Sequence, residues 1–135
     1  MALQLEIVTP SQRALQLECD EVRLPGAEGS FGVLPGMAPI LSLLVPGTLY
    51  FRSGEGEQTY VLGEGFAEVS GDKVRVLVED AEKADQIDAT QAQKQLEERK
   101  AALAALKSED QAGREQLQSL VEQAAARVAA SASKH

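Results

Sequence analysis

Residues 73–104 read KVRVLVEDAEKADQIDATQAQKQLEERKAALA, and the spacing of the apolar residues changes period within this stretch. Val74, Val76 and Val78 alternate with Lys73, Arg75 and Leu77, the period of two expected of a strand with one buried face. Further along, Ala89, Ala92, Leu96, Leu103 and Leu106 fall on one stripe of a helix. Asp88, followed by Gln91, resembles a capping box, so the helix is predicted to start at this point.

Toward the N-terminus the period of two continues. Leu3, Leu5 and Ile7 alternate with Gln4 and Glu6, and short strand candidates follow at DEVRLP, TLYFRS, QTYVLG and FAEVS. Turns such as Gly54-Glu55-Gly56 and Gly71-Asp72 separate them, which predicts an antiparallel sandwich or barrel. Toward the C-terminus glycine nearly vanishes: Gly113 is the only one after Ala84, and no proline appears. SEDQAG (residues 108–113) interrupts the helical pattern, and a second stripe follows in Leu117, Leu120, Val121, Ala124 and Val128. Two helices joined by a short polar turn predict an antiparallel hairpin. The fold class is therefore α+β, with a β domain over residues 1–84 and a helical hairpin over residues 85–135.

The hairpin is thin. Burying one large apolar side chain contributes about 1.5–3 kcal/mol, and ordering one backbone residue costs about 1–2 kcal/mol. A few leucines and valines among alanines do not clearly win that contest, so the hairpin should lean on the β domain or on a partner, and its docking should be reversible.

Composition excludes several function classes. The net charge of −8 argues against nucleic acid and against an anionic membrane surface, because both need clustered Lys and Arg. Residues 1–80 carry 12 of the 21 acids and 5 of the 13 bases, so the β half is the acidic one. Cys19 is the only cysteine and no intramolecular disulfide can form, which fits a reducing compartment. MALQLEIVTPSQ has no secretory signature, and no apolar run nears the roughly 20 residues of a bilayer span. A soluble, cytoplasmic chain without direct membrane insertion is expected.

Catalytic constellations are missing. GAEGSFG and GEGFAE contain Gly-x-x-Gly and Gly-x-Gly pieces, but neither opens a helix and no GxxxxGK[ST] or complete GxGxxG occurs. His135, the single histidine, stands at the extreme C-terminus, and with Cys19 alone no ordinary zinc site or activated nucleophile is expected. No cofactor, metal or catalytic residue is assigned. Arg114, Arg127 and Lys134, on or after the second helix, read as solvated cations or as contacts to an acidic partner.

The stretch GSFGVLPGMAPILSLLVPGTL, from Gly29 to Leu49, sets glycines and prolines beside the most apolar run of the chain. Together with Gly63-Glu64-Gly65-Phe66-Ala67-Glu68-Val69, the acidic approach AEKADQID and the paired helical tail, it resembles the epsilon subunit of bacterial F-type ATP synthases over essentially the whole chain. The resemblance implies an N-terminal β-sandwich and a C-terminal helical hairpin. It implies a non-catalytic rotor subunit of the central stalk, peripheral on the cytoplasmic face of the bacterial plasma membrane, that couples proton-driven rotation to ATP synthesis. Its β domain would bind the gamma subunit and rest on the ring of c subunits. Its arm would fold down or extend along gamma toward the alpha/beta ring, where it would inhibit ATP hydrolysis; Arg114 and Arg127 would be the inhibitory contacts.

The resemblance also assigns site residues. Ser30, Phe31, Gly32, Pro35, Gly36, Met37 and Pro39 would form the ring-facing loop, held rigid by its prolines and glycines, with Leu41, Leu43 and Leu44 as the apolar strand behind it. Many relatives carry an acid in place of Ser30 and a histidine in place of Met37, so apolar contacts should replace polar ones here. The alternative function is an ATP-sensing module whose hairpin closes on nucleotide. Glu82, Asp88 and Arg127 match the nucleotide-binding positions of such relatives, but Gln91 and Glu98 stand where those relatives carry arginine, and Gln123 leaves Arg127 without a basic neighbour one turn earlier. Arg99, one position along from Glu98, points elsewhere on a helix. With so few cations to meet triphosphate charge, weak or absent ATP binding is expected.

Overall fold

The computed structural model describes residues 2–106 and 110–132. Lys134, His135 and the start of the SEDQAG turn lie outside the described residues.

Strand β1 (Leu3–Val8) buries Leu3, Leu5 and Ile7 completely while Gln4 points to solvent. The chain turns at Thr9 and Gln12, whose backbones exchange hydrogen bonds of 2.9 and 3.3 Å, and β2 (Arg13–Cys19) returns along β1. Strand β9 (Lys73–Val78) lies on the other side of β1 and runs parallel to it, with Leu5 opposite Val74 and Ile7 opposite Val76. The sandwich is thus not purely antiparallel. Strands β8 (Gly65–Ser70) and β5 (Ile40–Leu44) complete a five-stranded sheet of order β2-β1-β9-β8-β5.

The second sheet has the order β10-β7-β6-β3-β4, from Ala81–Lys83 (β10), Gly56–Leu62 (β7), Gly47–Ser53 (β6), Glu21–Leu24 (β3) and Phe31–Val33 (β4). Between the sheets, Leu3, Leu5, Ile7, Val74 and Val76 join one core cluster with Val22, Leu24, Leu49 and Phe51. Phe51 also meets Tyr60, with ring centroids 6.3 Å apart. Gly65 lets β8 close on β9: a Cβ there would overlap the carbonyl oxygen of Leu77 and sit 2.7 Å from Cα of Val78.

A 3-10 turn at Ala84–Gln86 leaves the sandwich, and α1 (Ala89–Ala104) starts at Asp88, whose Oδ1 accepts the Gln91 N–H at 3.0 Å. Helix α2 (Gln111–Ala132) is capped in the same way, Asp110 Oδ1 accepting the Gly113 N–H at 3.0 Å. It packs on β6, β7 and the 3-10 turn, and α1 packs on α2. Ala92 and Leu96 of the predicted stripe are buried, but Ala89, at the first position of the helix, is exposed.

Two readings of the Gly29–Leu44 region change. The predicted loop contains β4, which pairs with β3 through Val33 and Val22. Leu41 and Leu43 are 72% and 70% exposed, and only Leu44 turns into the core. The alternation of a strand puts Leu41 and Leu43 on the outer face, so they form a surface rather than a backing strand.

Candidate interaction surfaces

The first surface is the tip around β4 and β5. Gly29 (φ +129) and Gly36 (φ +86) occupy the left-handed half of backbone space, and Pro35-Gly36 places proline before a positive-φ glycine as a type II turn requires. Gly26 allows the Phe31 ring to close over it: a Cβ at Gly26 would sit 2.9 Å from ring carbons of Phe31. The Leu34 N–H donates to Sδ of Met37 at 3.2 Å, so the thioether ties the turn together from inside. A groove of about 680 Å³ opens between the two arms of this tip, lined by Glu28, Ser30, Phe31, Met37, Leu41 and Leu43 among others. Gly32 also lines it, whereas Pro35, Gly36 and Pro39 lie outside it and shape the turn. Sequence reasoning missed Leu34, which is 51% exposed at the turn.

The second surface is the outer face of the first sheet. Strand register places Leu43 opposite Phe66, Phe66 opposite Leu77, and Leu77 opposite Val8, one apolar row across four strands. Phe66 is 40% exposed, and Leu77 and Val8 are half-buried. The row two residues away is Leu41, Glu68, Arg75, Glu6 and Gln16. There Glu6 accepts Arg75 Nε at 3.1 Å and Arg13 Nε at 3.0 Å. Leucine and phenylalanine left in water beside a fixed charge network are the makings of an interface. None of the residues in the apolar row was singled out as a contact from sequence, Leu43 being read only as part of a backing strand; the register, absent from sequence, is what aligns them.

The third surface is internal, between α2 and the sandwich. The Arg127 side chain is 11% exposed; its Nε and Nη2 donate to the Glu82 carboxylate at 2.8 and 3.2 Å, and its Nη1 donates to Gln95 Oε1 at 2.8 Å. One turn earlier, Gln123 Nε2 donates to Asp80 Oδ2 at 3.3 Å, and one turn before that Ser119 Oγ donates to Glu64 Oε2 at 3.0 Å. Arg99 Nη1 donates to the Leu120 carbonyl at 2.8 Å. Burial and the nearby Arg127 push the Arg99 guanidinium down from its usual value, against the pull of Asp80. Apolar packing here is modest: Val61, Ala84, Ile87, Ala92 and Ala130, with Ala126 and Val128 beside them.

Of the nucleotide-site residues, Glu82 and Arg127 meet each other, while Asp88 serves as the α1 cap. Gln91 and Glu98 are exposed, and Arg114 lines a groove of about 420 Å³ with Val45, Pro46 and Glu64. Among the described residues no group of three His, Cys, Asp or Glu could hold a metal ion, and no helix is long and apolar enough to cross a membrane.

Residues 2–84 match the family described as ATP synthase, Delta/Epsilon chain, beta-sandwich domain. The chain belongs to the ATP synthase epsilon chain family. The ATP synthase epsilon chain of Anaeromyxobacter dehalogenans (strain 2CP-C) is 41% identical over 128 residues, 95% of this chain and 96% of that one. That of Geotalea uraniireducens (strain Rf4) is 46% identical over 112 residues, 83% of this chain and 81% of the relative. Among solved structures, a chain of the Euglena gracilis mitochondrial ATP synthase, in an OSCP/F1/c-ring assembly, superposes with a TM-score of 0.80 at 28% identity, covering 96% of this chain and 81% of that chain. A chain of the Tetrahymena thermophila enzyme shares the fold at a TM-score of 0.66 and 16% identity. The sandwich followed by two helices expected from sequence is the fold present, and an ATP synthase epsilon chain is a subunit of that complex, not itself catalytic.

Proposed function

We propose that this chain joins the rotor of an ATP synthase by two surfaces of its sandwich and regulates the enzyme with its helices. The observation that carries the proposal is the apolar row Leu43, Phe66, Leu77 and Val8, in register across four strands and open to solvent. The gamma subunit covers this face, and Glu6, Arg13 and Arg75 fix its orientation through the adjacent charged row. The tip built from Ser30, Phe31, Gly32, Pro35, Gly36, Met37 and Pro39 meets the ring of c subunits. Exposed Leu34, backed by the half-buried Phe31 and Met37, makes that contact largely apolar, and the glycine and proline turn keeps it stiff enough to transmit torque.

The chain divides functionally at residue 84, the sandwich docking and residues 85–135 acting as the arm. The arm docks through a small alanine-rich patch and a row of polar contacts, a combination that supports release. Extended, it reaches the alpha/beta ring, Arg114 and Arg127 meet acidic groups there, and hydrolysis slows. The complex sits peripherally at the cytoplasmic face of the plasma membrane. ATP binds weakly at best, since the Arg127 guanidinium is already held by Glu82 and Gln95.

Mixing the chain with gamma from the same organism should give one co-eluting complex by size exclusion; two separate folded species would count against the docking reading. Truncation after Ala84 in the assembled enzyme should raise ATP hydrolysis, and an unchanged rate would remove the inhibitory role.

A further inference from the structure

The contacts of α2 with the sandwich are graded along its length. The row Ser119, Gln123 and Arg127 advances one helical turn at a time, and each side chain donates to a different carboxylate, Glu64, Asp80 and Glu82 in turn. The Ser119 and Gln123 bonds are exposed single contacts, at 3.0 and 3.3 Å. Arg127 instead makes a bidentate ion pair and also grips Gln95 of α1, with only 11% of its side chain exposed. Apolar burial follows the same gradient. Ala124 and Ala130 are buried, and Ala130 packs with Ala126 and Val128 near Val61, Ala84 and Ile87, whereas Gln111, Gln118 and Glu122 face an open groove of about 420 Å³ beside Leu44, Val45 and Pro46. Arg99 fastens α1 to the Leu120 carbonyl, so the two helices move together.

We infer that the hairpin lifts from the sandwich tip first, breaking the Ser119 and then the Gln123 contact, and stays hinged on the Glu82–Arg127–Gln95 cluster until last. The inference rests on the movable-arm reading above and adds an order to it. An exposed hydrogen bond to a carboxylate exchanges readily with water, while the part-buried bidentate pair between Glu82 and Arg127, its guanidinium steadied by Gln95 of α1, breaks only when that end of α2 leaves β10. The partly lifted state keeps the arm tethered and frees the N-terminal turns of α2, Arg114 included, while Ile87 and Val61 stay covered. Release is therefore stepwise rather than all-or-none, and the last step is set by one side-chain cluster.

Hydrogen exchange of the full-length chain, followed by mass spectrometry, tests this. In the unsubstituted protein, amides of residues 114–120 should exchange at least tenfold faster than those of residues 124–130. Ser119→Ala should accelerate 114–120 at least twofold and leave 124–130 within twofold. Glu82→Gln should accelerate 124–130 at least tenfold, to the level of 114–120, with the β9 amides unchanged; Gln95→Ala should act in the same direction and leaves the sandwich itself untouched. Uniform exchange along α2, or a Glu82→Gln protein with unchanged protection at 124–130, would overturn the inference. So would acceleration of β9 together with 124–130 in both Glu82→Gln and Gln95→Ala, because the cluster would then be supporting the whole fold. Exchange is read on the isolated chain, so a failure of the arm to inhibit in the assembled enzyme appears in the hydrolysis assay and not here.

Discussion

Leu43→Ala should weaken the complex with gamma about tenfold while leaving the fold intact. Leu43 is 70% exposed in the free chain and stands at the start of the apolar row. Fully burying a leucine is worth about 1.5–3 kcal/mol, so covering the remaining 70% corresponds to about 1–2 kcal/mol. Alanine keeps the Cβ, which leaves a loss of about 1.4 kcal/mol, or a factor of about ten in Kd. The large costs of association do not enter, because they are common to both variants. Stability should change by no more than about 0.5 kcal/mol, as for other exposed substitutions. Calorimetric titration against gamma reads the affinity, and thermal unfolding of the free chain reads the fold. Phe66→Ala, at the position paired with Leu43, should weaken binding too, but the two losses should not add, since the side chains are neighbours. Leu34→Ala is the control: it removes another exposed leucine, from the tip, and should leave gamma affinity within twofold. If Leu43→Ala binds within twofold of the unsubstituted chain, or Leu34→Ala loses as much, gamma does not cover this face.

Gly65→Ala should destabilise the sandwich by about 3 kcal/mol or more, lowering Tm by about 10 °C, because the new methyl must push β8 off the β9 backbone. Burial, reinforced by Asp20 and only partly opposed by the Glu21 backbone, pushes the Cys19 thiol up to about 11. The unfolded thiol gives up its proton near pH ~8.5, so above that pH the unfolded chain binds fewer protons and stability falls as pH rises toward 11, with no contribution below. The urea midpoint should therefore drop between pH 8 and 10, and Cys19→Ala should flatten that drop. Millimolar ATP should leave Tm unchanged; an increase of several degrees would show selective binding to the folded chain and revive the nucleotide-sensing alternative.

Much of the fold is written in local pattern. The alternation in Leu3–Ile7 and Val74–Val78 marks two central strands, and Asp88 with Gln91 marks the first turn of α1 correctly because a cap is made within four residues. What escaped depends on contacts between distant residues. Nothing local says that β1 and β9 run parallel. Strand β2 lies at a sheet edge, where Ala14, Leu15 and Leu17 are only half-buried, and its pattern reads weakly for that reason. Leu41 and Leu43 read as a backing strand because an exposed interface is built from the same residue types as a covered one. The Glu82–Arg127 pair spans 45 residues and has no local signature, although the four-residue spacing of Ser119, Gln123 and Arg127 could have drawn attention to one face of α2. Met37 was legible as a departure from the usual histidine, but its bond to the Leu34 N–H required the turn itself.

Photo-crosslinking in the assembled enzyme distinguishes the two docking surfaces, with a photoreactive residue at Phe66 in one version of the chain and at Ser30 in another. Position 66 should give an adduct with gamma, and position 30 an adduct with a c subunit. Adducts exchanged between the two positions, or gamma captured from neither, would contradict it.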